Sequence, residues 1–426
     1  MKVSNKLFFL PASLLLIAYF FRLGTIPNQL LLIGGAFILI LICLFIFLLK
    51  QIKNAESLGQ KFIHFVHFII AILVIILPFA GVFNQGLIPI SIYIVLLLVL
   101  MRYFIKLNDA RYTLLNFIQP SNYRNFVLLN LILIILNSPF QFVIPDVFYS
   151  PDFQSEYEYE KGPNIYIDEA HNNHHKGSGL YTTFSNILRK DGYNIKAFHN
   201  EFSVESLDDV DILVISNALN NKNVDNWERP VYSAFSETEI QNLNIWVKAG
   251  GSLFFIADHM PFGTASKDLA LSFGFKFSDG SVVKKVKDGI DLFSRKKKTL
   301  SNNIITQGRG PTEFIDSVVT FTGQAIEIPE SAISILVFND EYVHYTPQIR
   351  HHIDDVEEEN ITGLSQGAYM TYGTGRIVVF GEAAMFTGQL PAGLSFWKKI
   401  GLNSVEAKNN YKLLLNIVHW LDHKID

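Results

Sequence analysis

The chain has one cysteine among 426 residues, Cys43, and it lies in an apolar run. That excludes an intramolecular disulfide, a CxxC site and thiol catalysis in the polar part of the protein. Charge is scarce as well, at 17% of residues, and unevenly spread. Residues 1–125 hold ten Lys/Arg and only two Asp/Glu, a balance of +8, so the remainder carries −12. An acidic remainder is a poor match for nucleic acid, whose phosphates demand Lys and Arg, and no nucleic-acid partner is expected. Its negative charge reads as a solvated surface.

What the first third has instead is apolar sequence. Five stretches, approximately 7–21, 29–49, 62–84, 87–105 and 126–144, are separated by short polar loops. A bilayer core about 30 Å thick needs roughly 20 residues of helix, a length the second to fifth stretches reach and the first falls short of. The first follows Lys2 and Lys6, as the apolar region of a signal peptide would. No small-x-small cleavage site follows, so it reads as an uncleaved helix. Lys50, Lys53 and Lys61 lie between stretches two and three, and Arg102, Lys106, Arg111 and Arg124 between four and five. The positive-inside rule puts both loops in the cytoplasm. The expectation is an all-α transmembrane anchor of about five helices over 1–145, embedded in the lipid bilayer of the inner membrane. Its amino terminus is cytoplasmic and everything after residue 145 extracytoplasmic. His64 and His67 share a helical face near Lys61, where interfacial histidines are cheap. No Asp or Glu lies within a span, which leaves a proton-coupled transporter without support.

After a linker at 146–162, residues 163–426 alternate strands and helices. "NIYID" (164–168), "NIKAF" (194–198), "DILVIS" (211–216) and "SLFFIA" (252–257) are apolar strands, and a helix is expected near 178–191. "SETEIQNLNIWVKAGG" (236–251) is a further helix, opened by a capping box of Ser236 and Glu239 and closed by Gly250-Gly251. Further strands are expected at 318–328 and 333–338, a hairpin over Gly373–Gly375, and a closing helix at 409–423. "RKKK" (295–298) and "DDVEEE" (354–359) read as solvated loops. Uninterrupted apolar strands followed by helices predict an α/β flavodoxin-like domain with a mostly parallel sheet covered on both faces.

In such a sheet, ligands bind outside the carboxyl ends of the strands. There the sequence places Asp168, Glu169 and His171, with His174 and His175 further along the loop, then Asn217 and Asn220, then Asp258 and His259, and finally Glu382. Carboxylates beside imidazoles suit general acid/base work, with Asp168, His171, Asp258, His259 and Glu382 as catalytic candidates. Glu169, His175, Asn217 and Asn220 are the ligand-binding candidates. The same donors suit a divalent metal such as zinc, although H-x-x-H-H matches no strong metal motif. Polar residues also gather at strand ends merely because strands stop at water, and Asp168 or Asp258 can serve as a cap or turn brace. "GLSQG" (363–367) fits G-x-S-x-G, but a hairpin follows where a nucleophile elbow needs a helix, so Ser365 is rejected as a nucleophile.

The first strand with its histidine loop, "WVKAGGSLFFIADH", "GTGRIVVFGEAAMF" and "NNYKLLLNIVHWL" together resemble the class I glutamine amidotransferase-like superfamily, in an uncharacterised membrane-anchored branch. The resemblance covers about 163–426. It implies a cysteine at the elbow after the "GG"-initiated strand. Here that elbow reads Ala257-Asp258-His259-Met260, so the glutaminase triad is absent and glutamine hydrolysis is not expected. The resemblance implies a domain that binds a carbohydrate, an envelope component or a partner protein. The rival readings are a metal-assisted or acid/base hydrolase and a structural accessory of a membrane complex.

Overall fold

The computed structural model describes residues 143–286, 291–348, 356–391 and 399–426. The chain divides into two compact units, and the one made of residues 144–390 and 398–426 contains the elements that follow. Its centre is a nine-stranded sheet: β1 (Asn164–Asp168), β2 (Asn194–Phe198), β3 (Ile212–Ser216), β4 (Ser252–Ile256), β5 (Lys276–Phe277), β6 (Ile326–Glu327), β7 (Ile333–Val337), β8 (Ser365–Tyr372) and β9 (Gly375–Phe380). The order is β2-β1-β3-β4-β9-β8-β6-β5, and β7 also pairs with β8.

Burial explains this order. β3 and β4 are apolar and fully buried along their length, as central strands covered on both faces must be. β2 carries Lys196 and is only partly covered, which suits an edge. Side chains alternate between two cores. Ile165, Ile167, Val214, Phe254, Ile256, Val378 and Phe380 face one core, which holds Phe184, Ile187 and Leu188 of helix α1 (Thr182–Lys190). Leu413, Leu414, Ile417 and Leu421 of the closing helix fill the same core. The other core takes Leu213, Ile215, Leu253, Phe255 and Val379 against Leu243 and Val247 of helix α2 (Glu237–Lys248) and Leu269 and Ala270 of helix α3 (Phe262–Ser272). The closing helix is α4 (Asn410–Leu421).

The fold expected from the sequence needs correcting in two ways. The sheet is mixed: β1–β2, β1–β3, β3–β4 and β4–β9 are parallel, whereas β9–β8, β8–β7, β8–β6 and β6–β5 are antiparallel. The tight turn at Gly373, whose φ of +64° favours glycine, reverses the chain between β8 and β9. From there the sheet is extended by hairpin logic instead of helical crossovers. The span 318–328 is not one strand, because Ser317–Thr320 pairs with Asp291–Ser294 outside the main sheet. Among the described residues there are seventeen strands and five α-helices, the fifth being the single turn Ile304–Gln307.

The second correction concerns the all-α anchor. Among the described residues no helix is long and apolar enough to cross a membrane. The stretches at 7–21, 29–49, 62–84 and 87–105, with Cys43, His64 and His67, lie outside the described residues, as does the fifth up to residue 142. That fifth stretch ends in strand, at Val143–Pro145. The segment expected as a linker is packed: Tyr157 sits edge-on to Tyr193, 5.4 Å between centroids, and donates a hydrogen bond to Asp422. Arg295 of the basic run is tied to the carbonyls of Ile315 and Thr306, while Lys296–Lys298 are exposed. Of the acidic run, residues 354 and 355 lie outside the described residues, and Glu359–Asn360 is strand.

Candidate functional site

The chain runs from β1 through α1 to β2 on one side, then returns to place β3 on the other side of β1. The order therefore reverses between β1 and β3, the place in an open α/β sheet where ligands bind outside the carboxyl ends of the strands. The loop after β1 and the turn after β3 border it. Asn217 takes φ +51° there, a left-handed conformation that asparagine tolerates better than most residues. Its Oδ1 accepts from the backbone N–H of Asp258, 2.8 Å, fastening the end of β3 to the end of β4.

Beside Asn217, six further buried side chains gather at this end of the sheet. Asp258 accepts from the His259 N–H at 2.7 Å and from the Ala383 N–H at 3.3 Å, which links β4 to the turn after β9. Glu382 is fully buried, and its Oε2 accepts from the Met385 N–H at 2.8 Å. Its Oε1 has no hydrogen-bond partner. Burial, reinforced by the Asp258 charge, pushes the Glu382 carboxyl well above the usual carboxylate range, which favours its neutral form. Ser216 lies 3.2 Å from His175 Nδ1 and donates to the Tyr181 hydroxyl at 3.0 Å. Tyr181 stacks on His175 with ring centroids 4.8 Å apart. Burial, with His174 and His259 nearby, pulls the His175 imidazole well below its ordinary value and keeps it neutral. His259 Nδ1 meets the Met260 carbonyl at 2.8 Å.

An aromatic wall leads from this cluster to solvent. Exposed His174 is edge-on to His175, 5.1 Å, and to half-buried Trp227, 5.5 Å. Trp227 in turn meets Phe262 at 5.1 Å. Asp258 and His259 each keep about 5% exposure, whereas Glu382 and Ser216 are fully buried.

The structure thus brings Asp258, His259, Glu382, His175 and Asn217 together, with Tyr181 and Ser216, which sequence reasoning missed. Ser216 is the last residue of an apolar run and Tyr181 precedes a helix, so neither carries a local signal. Asp168 and His171 form a different unit. His171 Nδ1 lies 2.9 and 3.0 Å from the two Asp168 oxygens, and Nε2 lies 2.8 Å from Glu239 Oε1. Both ring nitrogens are therefore engaged, which leaves His171 with no free atom for acid/base work. Glu169 and Asn220 brace turns: Glu169 accepts from the Gly177 N–H at 3.0 Å, and Asn220 caps Asn221–Asn223. Ser365 is buried in β8 and lies 2.7 Å from Ser334 Oγ. Among the described residues no group of three or more His, Cys, Asp or Glu is placed to hold a metal ion. Nδ1 of His171, His175 and His259 is turned toward Asp168, Ser216 and the Met260 carbonyl respectively, and Nε2 of His171 toward Glu239.

No family model matches the chain, and no curated protein matches it. Solved structures do. The N-terminal domain of mmIFT52 is similar over 61% of this chain and 97% of its own, at 14% identity and a TM-score of 0.42. A ThuA-like protein from Bacteroides uniformis is similar over 64% and 97%, at 12% identity and a TM-score of 0.35. A cytoplasmic protein from Salmonella typhimurium LT2 is similar over 61% and 99%, at 15% identity and a TM-score of 0.36. Similarity at this level carries no argument about activity. ThuA-like proteins are class I glutamine amidotransferase-like, yet no family model or curated relative places this chain among them. The expected membrane-anchored branch and multi-pass inner-membrane location are overturned. Among the described residues no helix is long and apolar enough to cross a bilayer.

Proposed function

We propose that the strand-end cluster is a binding site for a small, neutral, polyhydroxylated ligand of the carbohydrate class. The observation that carries this reading is Glu382, a fully buried carboxyl with one oxygen left unpartnered, which burial pushes toward its neutral form. Burying a polar atom without a partner costs about 1–3 kcal/mol, a cost that a ligand hydroxyl removes on binding. A neutral carboxyl both donates and accepts, which matches a hydroxyl. Asp258 supplies an acceptor beside it. Asp258 and Asp291 both place negative charge against Glu382, so an anionic ligand would meet repulsion there. Trp227 and His174 offer ring faces at the mouth, as ligand sites with a few convergent polar groups commonly do.

A second reading, an acid/base hydrolase at the same cluster, is favoured by the nearness of two carboxyls, Glu382 and Asp258. Two carboxyls in one site suit the roles of acid and base.

Calorimetric titration of the full chain with glucose, galactose, mannose and maltose tests the binding reading. At least one should bind, and Glu382→Gln and Asp258→Asn should each weaken it about tenfold or more. If none binds, or if both variants bind as the parent does, the reading fails. Release of nitrophenol from nitrophenyl glycosides, lost in both variants, separates the hydrolase from the binding protein.

A further inference from the structure

We infer that His171 is a proton-dependent clamp, which in its doubly protonated form fastens the loop carrying His174 and His175 to the amino terminus of α2. The inference concerns regulation of the site proposed above and rests on that reading for its functional consequence.

The geometry is that of a ring gripped on every side. Phe202 stacks on one face with centroids 4.6 Å apart, and Phe235 packs at 4.9 Å. The titratable groups facing the ring are Asp168 from β1 and Glu239 from α2, and the loops holding Phe202 and Phe235 present aromatic faces. Each nitrogen points at a carboxylate oxygen, and ionised carboxylates only accept. A neutral imidazole has a single N–H and can satisfy one of them, leaving a lone pair against the other. Only the imidazolium donates to both.

Glu239 has no slack to compensate. Its Oε2 already accepts from the Ser236 N–H at 3.0 Å and hydroxyl at 2.8 Å, while Oε1 is shared with the Phe202 N–H at 3.3 Å. Burial resists a charge on His171, but Asp168 and Glu239 outweigh it and hold the imidazolium above the ordinary histidine value. The Glu239 carboxyl moves in the complementary direction: burial raises it, yet the Ser236 and His171 hydrogen bonds bring it below its usual value.

The clamp reaches the site through the backbone. The His171 N–H donates to Asn173 Oδ1, and the Asn173 amide donates to Asp168 and to the Ser216 carbonyl. The Leu219 N–H donates to the His171 carbonyl, and the His174 N–H to the Asn217 carbonyl. Loss of the His171 proton breaks one of the two carboxylate links in this web and frees the segment that positions His174 and His175.

The direction of the pH dependence follows. A histidine raised on folding contributes its full stabilisation below its unfolded value and loses it as pH rises through the folded value. Amide hydrogen exchange of the full chain, without ligand, between about pH 6 and about pH 9 reads this directly. Protection of peptides covering 169–181, corrected for the intrinsic rate, should fall with rising pH by about tenfold for each unit by which the folded value exceeds the unfolded one. Glu239→Gln should move that fall to lower pH, and His171→Gln should leave protection low and independent of pH. A flat wild-type profile overturns the clamp, as does a midpoint that Glu239→Gln leaves in place. Glu239→Gln keeps the test decisive if His171→Gln fails to fold. Since no ligand is present, failure here is distinct from failure of the sugar titrations.

Discussion

His419 Nε2 of α4 lies 2.7 Å from Asp191 Oδ2, and both side chains are buried. Asp191 closes α1 and its other oxygen accepts from the Glu156 N–H at 2.8 Å. Arg309 approaches His419 Nδ1 at 3.4 Å and pairs with Glu156 and Glu313. One contact thus joins the first helix, the last helix and the segment before β1, far from the strand-end cluster. His419→Ala should therefore lower stability by about 1–3 kcal/mol through the orphaned Asp191 carboxylate. Sugar affinity should stay unchanged. Urea unfolding checks the first and calorimetry the second, and a double-mutant cycle with Asp191→Ala should show coupling.

Glu382 should destabilise the fold more strongly as pH rises. Its folded value stands above the ordinary 4.5, so its contribution is fully present below pH 4.5 and declines as pH climbs toward the folded value. Glu382→Gln keeps the shape and abolishes this titration. The variant should match the parent near pH 4 and exceed it in thermal stability near neutral pH. A parent that stays the more stable at neutral pH would argue that the carboxyl is ionised in the fold.

His175 should act in the opposite sense. A histidine held neutral by burial stabilises above its unfolded 6.5 and loses that stabilisation as pH falls. His175→Gln should blunt acid unfolding between about pH 6.5 and about pH 4. Acid titrations of both proteins followed by circular dichroism would show it. Equal slopes would place the acid sensitivity elsewhere.

Gly323 should not tolerate alanine. Its φ is +105°, and a Cβ would stand 2.4 Å from the Gly381 carbonyl and 2.9 Å from Glu382 Cβ. Gly323→Ala should cost more than about 1 kcal/mol and weaken sugar binding by moving Glu382. Gly363, with φ +90° and open space around it, is the control for backbone strain without crowding.

What the sequence disclosed is local. The strands at 164–168, 194–198, 212–216 and 252–256 are short apolar runs, and the capping box of Ser236 and Glu239 opens α2. The hairpin over Gly373–Gly375 is present, with β9 beside β4. What escaped was non-local. β5 and β6 are two residues long and owe their existence to pairing, not to pattern. α3 opens without a side-chain cap and is built from small residues, so it shows no start signal. At the site, Asp168, His171 and Asp258 all fall at strand ends as expected. Nothing in their spacing says that His171 turns toward Glu239, sixty-eight residues away, while Asp258 turns toward the turn after β9.

The ligand site proposed above turns on a proton at Glu382, and infrared difference spectroscopy of the full chain against Glu382→Gln tests for it. At neutral pH the parent should show the carbonyl band of a neutral carboxyl that the variant lacks, and a sugar that binds should shift that band by hydrogen-bonding the unpartnered oxygen. A carboxylate signature in its place, or a neutral band that bound sugar leaves unmoved, would contradict the account.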